Sequence, residues 1–229
     1  MAIVITPRDP LTQAQGVEAG YAHTARRWPA QPLARRPHTA SELSGPQPVA
    51  RRLPLVRGDL AGHGARRALG QLIRLRVRVV DEDGAPLPGT VLEAWHCNAA
   101  GKYIHPNDTH DAPADPNFYG AARLVAGDSG LIELRTIKPG AYPVPDTNGW
   151  WRPPHVHFSV WGRVWLSRLV TQMFFPGDPL NEADAILNAI RDPEARGRCI
   201  ARLVPSTTNE LIYDHQLVVR GRKGTPGMP

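Results

Sequence analysis

Apolar and polar residues alternate most clearly in QLIRLRVRVVD, residues 71–81, where Leu75, Val77 and Val79 interleave with Arg74, Arg76 and Arg78. Side chains on a strand project to opposite faces in turn, so this period of two predicts a half-buried strand. The turn-forming run DEDGAPLPG closes it. GTVLEAWHC (89–97) predicts the next strand, and GLIELRTI, HVHFSVWG, RLVTQMFFP and HQLVVRG predict four more, with turns such as KPGAYP between them. The polar stretch from Asn98 to Gly120 is too long to be a mere connection and predicts a functional loop. Only NEADAILNAI, after PGDPL, carries apolar positions at helical spacing. Together these elements predict an all-β fold. The expected architecture is a β-sandwich of mostly antiparallel strands with long functional loops, an extended N-terminal arm and one or two short helices.

Residues 1–70 lack that periodicity and are rich in Pro, Arg and Ala. They are expected to form an extended arm that wraps a partner subunit, leaving residues 71–229 as the sandwich domain. The 21 glycines and 24 prolines cut the chain into short pieces and disfavour long helices. A length of 229 residues with 41% hydrophobic residues suits one domain. The start, MAIVITPRDP, lacks the apolar core of a secretory signal, and no window approaches the roughly 18 apolar residues of a membrane span. A cytoplasmic protein without membrane contact is therefore expected.

Two cysteines, Cys97 and Cys199, read as reduced thiols. The formal charge of +6 owes much to paired arginines in the first 70 residues. A nucleic-acid platform would interleave aromatics among them, and only Tyr21 and Trp28 are there, so no nucleic-acid partner is expected.

Candidate chemistry centres on WRPPHVHF, residues 151–158. His155 and His157 stand at i and i+2 on a strand, so both rings can converge on one point while Val156 points away. Such a pair is half of a metal site or a satisfied pair of strand histidines. A zinc hydrolase needs a third histidine, carboxylate or cysteine; there is no HExxH, and Glu93 or Asp108 would have to serve. Tyr103 and Tyr142 sit in loops bounded by Gly and Pro. A phenol is a poor ligand for zinc, whereas a hard trivalent cation can deprotonate it, so two Tyr with two His would specify ferric iron.

The runs LEAWHCNAAGKYIHPND, DPNFYG, TIKPGAYP, WRPPHVHFSVWG and RLVTQMFFPGDPL, in this order, resemble the β chains of the intradiol ring-cleaving dioxygenases that act on protocatechuate. GYAHTARRWPAQPL and SELSGP extend the likeness into the arm, so that it covers most of residues 20–220. The resemblance implies non-haem Fe(III) held by Tyr103, Tyr142, His155, His157 and a solvent hydroxide, with Tyr142 and the hydroxide taking the two protons of an arriving catechol. It implies ring opening by O2, between the two hydroxyl-bearing carbons, to a substituted cis,cis-muconate. Arg152 is implied beside the substrate ring and Gln172 near it, with Trp95, Ile186 and Tyr21 as pocket walls. A homologous α subunit is the implied partner, in a hetero-oligomer. The chain departs from the pattern after Tyr142: Pro143, Val144 and Pro145 replace the usual Pro, Trp and basic residue, which opens the substrate to other 4-substituted anionic catechols. A zinc-dependent hydrolase and a non-catalytic metal-binding subunit are the alternative readings.

His105, Asp108 and His110, around Tyr103, are expected to support that loop by hydrogen bonding rather than to hold a second metal. Trp150, Trp151, Trp161 and Trp165 are expected to fill core or interface.

Overall fold

The computed structural model describes residues 58–63, 65–161 and 168–219. Two four-stranded sheets face each other, and the apolar residues of the alternating strands meet between them. One sheet runs in the order β10 (Arg168–Phe174), β9 (His155–Trp161), β4 (Val91–Trp95), β5 (Ala121–Val125), all antiparallel. The other is β11 (Arg202–Val204), β12 (Leu211–Val218), β3 (Leu72–Val80), β6 (Leu131–Ile137). Its β12 and β3 are parallel and its remaining pairs antiparallel. This is the expected all-β sandwich. Minor hairpins are β1 (Gly62–His63) with β2 (Arg66–Arg67), and β7 (Tyr142–Pro143) with β8 (Trp151–Arg152).

The period-two reading of β3 holds. Ile73, Leu75, Val77 and Val79 are fully buried, and Arg74, Arg76 and Arg78 face outward. On β9 the sense is the same: Val156, Phe158 and Val160 enter the core, leaving His155 and His157 on the far face. Burying an apolar side chain of this size contributes about 1.5–3 kcal/mol, so the core residues fix which face each strand turns inward.

Four features differ from the sequence-based expectation. β5, alanine-rich and with its Arg123 paired to Glu93, shows no alternation to read. β12 begins at Leu211 rather than His215, because the strand-averse Asp214 lies directly opposite Arg76 and binds it through both oxygens. The expected helix over 181–190 is broken into a 3₁₀ turn, Pro179–Glu182, and the short α1, Ala185–Asn188, with Asp184 capping the latter. A second helix, α2 (Pro193–Arg198), follows. The described part of the N-terminal segment packs on the sandwich, with Leu60 and Ala61 in the core. Among the described residues no helix is long and apolar enough to cross a membrane.

Candidate metal centre

The register of the first sheet sets out one half of the site. His157 pairs with Trp95 on one side and Gln172 on the other, so the three side chains form a row across the outer face. The Trp95 and His157 rings stack at 4.9 Å, 6° from parallel. His155, two residues back, shares that face and packs against Phe174.

Two loops bring the other half, and glycine lets them meet. Gly101, with φ +84°, lies so close to Ala141 that a Cβ there would collide with the Ala141 carbonyl oxygen. A Cβ at Gly140 would strike the Ala99 carbonyl in the same way. The Gly140 N–H donates to the Asn98 carbonyl, and Asn98 Oδ1 accepts from the N–H groups of Ala100 and Lys102. The segments carrying Tyr103 and Tyr142 are thereby locked together. Asp108 braces the first from within: its Oδ2 accepts from the Tyr103 N–H at 2.7 Å, and its Oδ1 from Lys102 and from His110. That is the supporting role expected of the loop. In the β7–β8 hairpin Tyr142 lies directly opposite Arg152.

Four heteroatoms converge as a result. Tyr142 Oη lies 3.3 Å from His155 Nε2, which lies 3.1 Å from His157 Nε2, which lies 3.1 Å from Tyr103 Oη. Two donors each about 2.1 Å from a shared ion, at roughly a right angle, stand about 3.0 Å apart, so this spacing suits a single bound cation. His155 Nδ1 donates to the Pro153 carbonyl at 2.6 Å, which fixes the tautomer and leaves the Nε2 lone pair facing the other three atoms. Burial, then the charges of Arg152 and His157, holds His155 well below the ordinary histidine range, so the ring is neutral. Burial, reinforced by Tyr142, pushes the Tyr103 phenol well above its ordinary value of 10. Only a strongly polarising cation would draw its proton off.

Arg152 is buried beside this cluster. Its Nε donates to Asp184 Oδ2 at 2.6 Å and its Nη2 to Gln172 Oε1 at 2.5 Å, while Trp150 lies 5.7 Å from the guanidinium carbon. A cavity of about 610 Å³ opens over the cluster, lined at its base by Trp95, Tyr103, Tyr142, Arg152 and His157. Ile104, His105 and His110 stand on one wall, and Pro143, Val144 and Pro145 on another.

Seven of the residues singled out in the sequence thus meet: Tyr103, Tyr142, His155, His157, Arg152, Gln172 and Trp95. Ile186, half-buried on α1, does not line the cavity. Tyr21 and Trp165 lie outside the described residues. The buried Asp184 was not singled out; its one sequence signal is a capping position ahead of AILN. Among the described residues no group of three or more His, Cys, Asp or Glu could hold a metal. Glu93 instead binds Arg123 and Trp161, and Asp108 its own loop.

Comparison with known proteins places the chain in a family. Residues 44–221 match the family model described as "Dioxygenase". The chain belongs to that family, the intradiol ring-cleaving dioxygenases. Within it, the chain is 41% identical to the protocatechuate 3,4-dioxygenase beta chain of Burkholderia cepacia, over 97% of each protein. It is 30% identical to a chlorocatechol 1,2-dioxygenase of Rhodococcus opacus over about half of each. The crystal structure of 3-chlorocatechol 1,2-dioxygenase from Rhodococcus opacus 1CP shares the fold: TM-score 0.55, 23% identity, 70% of this chain and 64% of that one.

Proposed function

We propose that Tyr103, Tyr142, His155 and His157 hold a non-haem ferric ion at which the chain cleaves the ring of an anionic catechol with O2. The observation that carries this reading is the run of contacts of 3.1–3.3 Å linking two imidazole nitrogens and two phenol oxygens. The donor set fits ferric iron, since two neutral imidazoles and two phenolates would offset most of a threefold charge in a buried site. When bound, the ion would supply the Lewis acidity that makes the phenols phenolates and the redox character that lets a chelated catechol react with O2.

The chain's own residues perform the rest. His155 offers its lone pair without a proton change, because Pro153 already accepts from its other nitrogen. Tyr142 lies at the base of the cavity and, as a phenolate, is the group able to accept a proton from an arriving catechol. Arg152 presents a planar cation to negative charge developing on the ring. Trp95 holds His157 flat by stacking. In the balanced reaction the bond between the two hydroxyl-bearing carbons breaks, both atoms of O2 enter the product, and a substituted muconate leaves.

The Burkholderia relative's name supplies protocatechuate as the first substrate to consider and implies a second type of chain. We take a homologous α subunit as partner, wrapped by the N-terminal arm expected over residues 1–70; the last part of that stretch, from Gly58, packs on the sandwich and belongs with the catalytic unit of 71–229. The wall of Pro143, Val144 and Pro145 carries no cation, which widens the candidate substrates from protocatechuate to other 4-substituted anionic catechols.

To test this reading, the chain is produced with its partner, loaded with iron and screened for oxygen uptake with substituted catechols. Broad visible absorption from phenolate bound to iron is expected, weakened in Tyr103→Phe and Tyr142→Phe. An iron-loaded but colourless protein would refute it.

A further inference from the structure

The ion pair between Arg152 and Asp184 is the most completely buried one among the described residues, at 1% and 0% side-chain exposure. Stability does not explain its presence. Withdrawing two charges from water costs several kcal/mol each, and well-packed apolar residues of similar volume serve a core as well or better. What the pair does provide is orientation. Nε is held by Asp184 on the turn before α1, and Nη2 by Gln172 on β10, so two separate elements fix the guanidinium plane. Arg152 also lines the cavity beside Tyr142, and Nη1 takes no part in either of these two bonds. Asp184 is itself locked, because its second oxygen, Oδ1, accepts from the Leu187 N–H at 2.7 Å and caps α1.

We infer that Asp184 is a positioning residue: it clamps Arg152 so that the cation addresses the ring of the bound catechol at a fixed distance and tilt. The inference rests on the ring-cleavage reading above, with Arg152 as the group that acts on the substrate and Asp184 acting only through it. The geometry makes Asp184 hard to replace, even by its amide. An asparagine has one acceptor oxygen, so it can satisfy Arg152 Nε or the Leu187 N–H but not both. Displacing a catalytic group by about 1 Å is enough to lower turnover on the order of 100-fold.

The experiment is a double-mutant cycle on the iron-loaded enzyme with its partner chain, combining Asp184→Asn with Arg152→Ala. D184N is expected to lower kcat roughly 10- to 100-fold, with KM for the catechol within about threefold and with unchanged iron content and resting visible spectrum. In the R152A background the same substitution is expected to change kcat less than about twofold. A purely structural role would instead give multiplicative losses, and a fall in iron content in step with turnover. Arg152→Lys provides a second test that leaves Asp184 in place. It keeps the charge but loses the planar two-point hold, so kcat is expected to fall nearly as far as in R152A. The iron-free chain labelled with 15N-arginine gives a readout independent of turnover: the Arg152 Nε–H should exchange slowly in the wild type and rapidly in D184N. Wild-type turnover in D184N or R152K, or independent losses in the cycle, overturns the clamp alone. A wild-type enzyme with no oxygen uptake overturns the ring-cleavage reading beneath it.

Discussion

His96 offers the sharpest link between geometry and a solution measurement. It is fully buried where β4 leaves the first sheet. Its Nδ1 donates to the Cys97 carbonyl at 2.7 Å, and its Nε2 accepts from Thr136 Oγ1, on β6 of the opposite sheet, at 2.8 Å. The neutral ring therefore ties the two sheets together just below the candidate metal centre. Burial lowers its pKa from 6.5 to about 4. Because the folded state resists protonation, the unfolded chain binds more protons between those two values, and stability must fall as pH falls through this window. The full displacement of 2.5 units corresponds to about 3 kcal/mol, of which about 2 kcal/mol is lost between pH 7.5 and 5.0. The assay is urea unfolding of the iron-free, reduced chain at those two pH values, for the wild type and His96→Gln. His155 and His215, also buried with lowered pKa values, act in the same direction in both proteins and cancel in the difference. Asp59, Glu93, Asp108 and Asp214 have depressed values, so their contribution is present above the usual carboxylate range and is lost only at more acid pH. The variant should therefore lose about 2 kcal/mol less than the wild type on going from pH 7.5 to 5.0. Equal losses in the two proteins would refute the assignment of a buried, neutral His96.

Gly101→Ala should destabilise the chain by about 2–4 kcal/mol, combining the penalty of positive φ with the collision against Ala141. It should also abolish visible absorption on iron loading, because the loops carrying Tyr103 and Tyr142 can no longer close; urea unfolding and the spectrum check both. Phe158→Ala removes a fully buried ring from between the sheets and should cost about 3–5 kcal/mol in the same unfolding assay.

Much of the sandwich was legible because β3, β4, β6 and β9 carry their burial pattern openly. In β3 and β9 each inward residue is a large apolar one, and the polar residues between them mark the other face. Illegible pieces are those whose stability comes from elsewhere. β5 depends on a cross-strand Arg123–Glu93 pair rather than on its alanines, and β12 on Asp214 meeting Arg76. The helical pattern over 181–190 was real but could not show that Asp184 would restart the helix. In the site, the i and i+2 spacing of His155 and His157 sufficed to put both rings on one face. Nothing local connects them to Tyr103 or Tyr142; loop position and phenol chemistry nominate those two, resemblance to a family joins them to the histidines, and the glycine contacts that bring the loops together are visible only in three dimensions. The partner of Arg152 lies 32 residues away and was hidden for the same reason.

Strand β9 presents imidazoles to one side and Val156, Phe158 and Val160 to the other. Sliding it by a single residue against β4 and β10 would drive both histidines into the apolar interior and push the valines and phenylalanine into the cavity. Misalignment therefore cannot yield a well-packed protein with a faulty centre, because the same error ruins both. Selection for a tight interior is at the same time proofreading of the two imidazoles on its outer side.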